Sequence, residues 1–251
     1  MIHGSGSQFP RNNSHTILQL KHQNTNDFGA NTAGSAPGLT ITQVTSGTPE
    51  NTLSNTAHAA PLAGLGKYLN IWGGTYGVGQ RFDVTYNTKL RIGYKPFTLF
   101  FWMQALPAGT NPIGWYHFIF NNKRYEENYN GNYFWGLFND QAFPVIFGYS
   151  CDGQTNVEYL SYVRAASITD GFHHYAICRE SLGTNKTHTF YDGKLVQNKT
   201  VEKYLHNNEG NLNLYADAPN GFYSRGKVSN VTMIIGESLW NRSFTPPVRQ
   251  A

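Results

Sequence analysis

Short runs of apolar, aromatic and β-branched residues alternate along this chain with clusters of Gly, Asn, Asp and Pro, and none of them repeats with a helical period. The pattern predicts strands at residues 16–20, 39–44, 68–71, 81–86, 97–103, 116–120, 134–138, 145–149, 157–163, 172–179, 187–191, 195–198, 212–215 and 227–235. Many short strands with turn signals between them predict an all-β fold, an antiparallel β-sandwich, over α/β alternation. Phe97-Thr-Leu-Phe-Phe-Trp-Met is almost continuously apolar, as a central strand covered on both faces must be. In residues 172–179, alternation sets Phe172, His174, Ala176 and Cys178 on one face and His173, Tyr175, Ile177 and Arg179 on the other. Asp192-Gly193 suits a two-residue type I′ turn, whose central residues both need positive φ. Residues 21–67 read mostly as loop. Residues 1–15 read as a flexible N-terminal arm or a leftover of cloning, and 16–251 as one domain.

Composition supports the strands and narrows the partners. Charged residues make up only 14% of the 251 and aromatics 15%, poor material for long helices. The net charge of +4 comes from 19 Lys and Arg that are scattered, so no basic stripe predicts a nucleic-acid partner. No apolar run approaches the roughly 20 residues of a membrane span, and the N-terminus lacks a secretory pattern. Cys151 and Cys178 are too few for a disulfide framework and read as two buried thiols. Sequons begin at Asn12, Asn185, Asn198, Asn230 and Asn241, as chance predicts in an Asn-rich chain.

Taken in order, several pieces resemble the LamG-like, concanavalin A-like jelly roll found in structural proteins of tailed bacteriophages. They are the opening Thr16-Ile-Leu-Gln-Leu with a turn at residues 24–29, and Leu65-Gly-Lys-Tyr-Leu-Asn-Ile-Trp-Gly-Gly. Phe97-Thr-Leu-Phe-Phe-Trp, Gly171-Phe-His-His-Tyr-Ala and the Tyr191-Asp-Gly hairpin follow. Gly226-Lys-Val-Ser-Asn-Val-Thr-Met-Ile, Leu239-Trp-Asn-Arg and Phe244-Thr-Pro-Pro close the series. The resemblance implies a non-enzymatic virion protein, made in the host cytoplasm, that decorates a capsid or joins an appendage in many copies or as a homo-oligomer. Its partners would be other virion proteins. A lectin-like module for host-surface glycans is the alternative, and a glycoside hydrolase the third reading, because the fold hosts all three.

Glycoside hydrolysis needs two flanking carboxyl groups, and no acid-x-Asp-x-acid strand delivers them. Glu126 and Glu127 would face opposite ways, leaving Asp140 or Glu158 to converge from elsewhere. His173 and His174 face opposite ways too and cannot share a metal; one is expected to be packed and hydrogen-bonded in the sandwich, the other on the outer face. Cys178 and His174, four residues apart on a strand, lie about 13 Å apart at Cα, too far for a dyad. No cofactor is expected, with calcium at Asp27, Asp152 or Asp217 the nearest exception. The best binding segment is Trp115 to Asp140, with Trp115, Arg124, Tyr125, Tyr129, Asn130 and Tyr133 as candidate contacts, since rings beside amides suit a sugar or a protein surface.

Overall fold

The structure is a computed structural model. The structure describes residues 15–20, 39–46, 52–53, 62–71, 79–105, 116–123, 131–138, 145–150, 157–163, 171–181, 183–201, 204–206, 210–217 and 222–248. Among the described residues seventeen strands run in chain order: β1 (Thr16–Leu20), β2 (Ile41–Ser46), β3 (Thr52–Leu53), β4 (Leu69–Ile71), β5 (Gly79–Val84), β6 (Phe97–Ala105), β7 (Tyr116–Lys123), β8 (Gly131–Phe138) and β9 (Val145–Ser150). β10 (Val157–Val163), β11 (His173–Arg179), β12 (Lys186–Tyr191), β13 (Lys194–Thr200), β14 (Leu212–Leu214), β15 (Ala216–Asp217), β16 (Phe222–Tyr223) and β17 (Gly226–Ile235) complete them. One antiparallel sheet has the order β13-β12-β11-β6-β17-β4-β3, with β1 beside the second half of β17. The other runs β10-β9-β8-β7-β14-β5-β2, and β15 and β16 form a small ribbon. Among the described residues no helix is long and apolar enough to cross a membrane.

β6 shows why two layers form. Phe97, Leu99, Phe101 and Met103 enter the core between the sheets, while Phe100 and Trp102 join a second apolar layer on the outer face of the first sheet. Across the core, Phe97 stacks on Phe147 at 5.7 Å and Phe101 lies 6.5 Å from Phe120. β11 obeys the alternation expected of it: Tyr175 and Ile177 face the core, Ala176 and Cys178 the outer layer. β17 breaks alternation once. Asn230 sits at φ 52 and the pairing with β6 shifts between Ser229 and Thr232, a bulge that lets Val228 and then Val231, Met233 and Ile235 all face the core. Asn230 is also fully buried, so its sequon is closed to glycosylation.

The outer layer exists because residues 236–248 cross the first sheet. Leu239 N donates to Thr98 Oγ1 at 2.9 Å, Trp102 Nε1 to the Pro247 carbonyl at 3.1 Å, and Phe244 N to the Gly193 carbonyl at 2.8 Å. Trp240 and Phe244 stack face to face, 4.0 Å between centroids, and cover Phe100 and Phe190. The Asp192-Gly193 turn, at φ 49 and 73, holds this strap. A Cβ on Gly193 would lie 2.1 Å from the Phe244 carbonyl oxygen, so Gly193→Ala must push the strap off its hydrogen bond. Its expected cost is about 2–4 kcal/mol in chemical denaturation, from the clash and the positive φ together.

Candidate functional site

Asp192 does more than turn the hairpin. Its Oδ1 accepts from His174 N at 2.9 Å and its Oδ2 meets His173 Nδ1 at 2.8 Å, pinning the start of β11. Burial opposes the charge on Asp192, but the bonds from His173 and His174 N outweigh it and hold the carboxyl below its usual range. His173 stacks on Tyr191 at 4.9 Å. The two histidines divide between the faces as the sequence suggests, but the outer-face ring is covered rather than exposed. The hydrogen-bonded ring is His173, whereas His174 is packed in the outer layer, fully buried, with neither ring nitrogen hydrogen-bonded. Phe100, Trp102, Trp240 and Phe244 surround it at 5.2–5.9 Å between centroids. The strap that completes this box lies more than 60 residues downstream, roughly, beyond the reach of a strand-alternation argument. Burial pushes the His174 imidazole down to about 3 against a small opposing pull from Asp192. Cys178, a free thiol in the same layer, is pushed up to about 11 by burial and is no nucleophile.

A cleft of about 500 Å³ opens at the end of the sandwich where β6 begins and β11 ends. Thr88, Arg91, Ile92, Gly93, Tyr94, Lys95, Pro96, Ser181 and Tyr204 line it. Its floor, the backbone of Gly93 and Lys95, is held by the end of β11: Arg179, buried, donates from Nη2 to the carbonyls of Gly93 and Lys95, the latter at 2.7 Å, and packs 5.3 Å over Phe97. Burial pushes Arg179 down to about 10, with Tyr149 and Tyr94 acting the other way, so it stays cationic at neutral pH. Leu90, Ile92 and Leu205 anchor the rim in the core. Leu205 N donates to Gly93 O at 3.2 Å. Gly93 is required: it sits at φ +56 and a Cβ there would meet the Tyr204 ring at 2.9 Å.

This scaffold presents an aromatic corner. Tyr94 is 47% exposed and meets Tyr204 edge to face at 5.0 Å, and Tyr204 meets His206 at 4.8 Å. An exposed ring held still by its neighbours offers area to an apolar sugar face at low entropic cost, while Ser181, Lys95 and Arg91 supply hydroxyl and cationic donors. Sequence reasoning missed these residues. Gly93-Tyr-Lys-Pro reads as a turn, and an aromatic between Gly and Pro was the available signal; Tyr204 and Arg179 reach it only through the fold.

Of the sequence candidates, Trp115, Arg124, Tyr125, Tyr129 and Asn130 lie outside the described residues, as do Glu126, Glu127, Asp140, Cys151, Asp27 and Asp152. Tyr133 is placed by its backbone alone, in β8 opposite the buried Tyr149 of β9. Glu158 is likewise placed in β10, opposite Tyr149, and Asp217 in β15, opposite Phe222. Among the described residues no three His, Cys, Asp or Glu side chains are grouped to hold a metal.

No protein-family profile matches the sequence, and no curated protein matches it. Solved structures do resemble the fold. The binding domain of Paraclostridial Mosquitocidal Protein 1 superposes with a TM-score of 0.59 at 12% identity, over 90% of this chain and 50% of that one. A structure of botulinum neurotoxin type C, whose cell entry depends on interaction with two ganglioside molecules, gives 0.59 at 13%, over 91% and 49%. The binding domain of botulinum neurotoxin DC in complex with rat synaptotagmin II gives 0.55 at 15%, over 91% and 50%. Such identities show a shared β-rich fold alone. The chain spans about half the length of these structures.

Proposed function

We propose that this chain is a non-enzymatic adhesion module that binds carbohydrate in the cleft around Tyr94. The half-exposed Tyr94, braced against Tyr204 over a floor fixed by Arg179, is the observation that carries the reading. Its fold is shared with toxin binding domains and with botulinum neurotoxin type C, whose cell entry depends on gangliosides, and that supports recognition of cell-surface glycans ahead of a purely structural role. The order of the LamG-like motifs supports a setting on a bacteriophage virion, where many copies would meet the host surface.

A glycan array probed with the purified protein tests this. Binding is expected, and Tyr94→Ala is expected to weaken it roughly tenfold by removing the stacking ring. No glycan bound, or binding untouched by Tyr94→Ala, would overturn the assignment of the cleft.

A further inference from the structure

We infer that the cleft selects saccharides bearing a carboxylate or a sulfate over neutral ones, an inference that rests on the glycan-binding reading above. The cleft is lined by two cationic side chains, Arg91 and Lys95, and two phenols, Tyr94 and Tyr204, and among the described residues no carboxylate lines it. Arg91 is held in place with its guanidinium 5.6 Å from the Tyr86 ring centroid. Lys89, exposed on the short 3₁₀ turn Thr88–Leu90, lies in sequence between the lining residues Thr88 and Arg91. Arg179 lies beneath the floor, bonded to the carbonyls of Gly93 and Lys95.

Among the described residues, the carboxylate adjacent in sequence to a lining residue is turned to another partner. Glu180 precedes the lining residue Ser181, yet its Oε1 meets His188 Nε2 at 3.0 Å. Its backbone is fixed as well, Glu180 N donating to Lys186 O at 2.8 Å. The apolar ring face and the cationic rim thus sit side by side, which matches a sugar ring carrying an acidic substituent.

One oligosaccharide prepared in neutral, carboxylated and sulfated forms tests this by titration calorimetry, at low ionic strength and again at about 0.5 M NaCl, where the Debye length falls to a few ångströms. An acidic form is expected to bind roughly tenfold more tightly than the neutral form at low salt. The ratio should fall towards one at high salt and in Lys95→Gln, and the better acidic form identifies the substituent. Equal affinity for neutral and acidic forms, or a ratio unchanged in Lys95→Gln, overturns the charge selectivity while leaving the glycan reading standing. Binding of none of the three forms overturns both. Tyr94→Ala separates the roles further, because it should weaken all three forms by the same factor.

Discussion

Acidification from pH 7 to pH 4 is expected to strip about 3 kcal/mol from the folding stability through His174, and His174→Phe should remove that loss. In the unfolded chain the imidazole takes up a proton as the pH falls through its ordinary value of 6.5, whereas in the folded protein burial holds it neutral down to about 3. The unfolded state therefore binds more protons throughout this window. Stability is full above 6.5 and is lost progressively as the pH drops towards 3, by at most about 1.4 kcal/mol per pH unit. Asp192 acts in the same direction at lower pH, since a carboxyl held below 3.8 yields its contribution only when it protonates.

His174→Phe keeps an aromatic ring among Phe100, Trp102, Trp240 and Phe244 and removes two buried nitrogens that make no hydrogen bond. At neutral pH it should therefore be neutral or stabilising. Urea unfolding of both proteins across the range from pH 7 to pH 4 checks this. The wild-type curve should fall away from the variant's below pH 6.5, and parallel curves would show that His174 is not the acid-sensitive group.

Arg179→Met is expected to cost about 2–4 kcal/mol and to abolish glycan binding together. Methionine fills the space over Phe97 but donates nothing, so the carbonyls of Gly93 and Lys95 lose the guanidinium beneath them. At roughly 2–4 °C per kcal/mol for a chain of this size, the melting temperature should fall by about 5–15 °C. Arg179→Lys should recover only part, because one ammonium replaces two nitrogens, Nη2 and Nε, that donate to these carbonyls. Stability lost with full binding retained would mean that the Tyr94 corner does not depend on its floor.

These residues also show what the sequence could reveal. Phe97–Ala105 and His173–Arg179 were legible because strand burial follows a period of two and both strands are covered on two faces. The Asp192-Gly193 turn was legible because positive φ at consecutive positions restricts the residue types. Strand edges were less so: β13 (Lys194–Thr200) runs beyond 195–198, because backbone pairing with β12 continues past the apolar residues. Asn230 hid its bulge, since local polarity does not say which strand lies opposite. The cleft was hidden for the same reason. Tyr94, Arg179 and Tyr204 are distant in the chain, and only the pairing of β6 with β11 and the bridge from Gly93 to Leu205 bring them together. The burial of His174 on the outer face was not legible, because its ring environment is completed by Trp240 and Phe244, far along the chain.

The most direct test is a crystal structure with the best ligand from the glycan array. The account predicts a sugar ring stacked on Tyr94 beside Tyr204, with its polar substituents towards Ser181, Lys95 and Arg91. A sugar seated instead on the segment from Trp115 to Asp140, with the Tyr94 cleft empty, would contradict it.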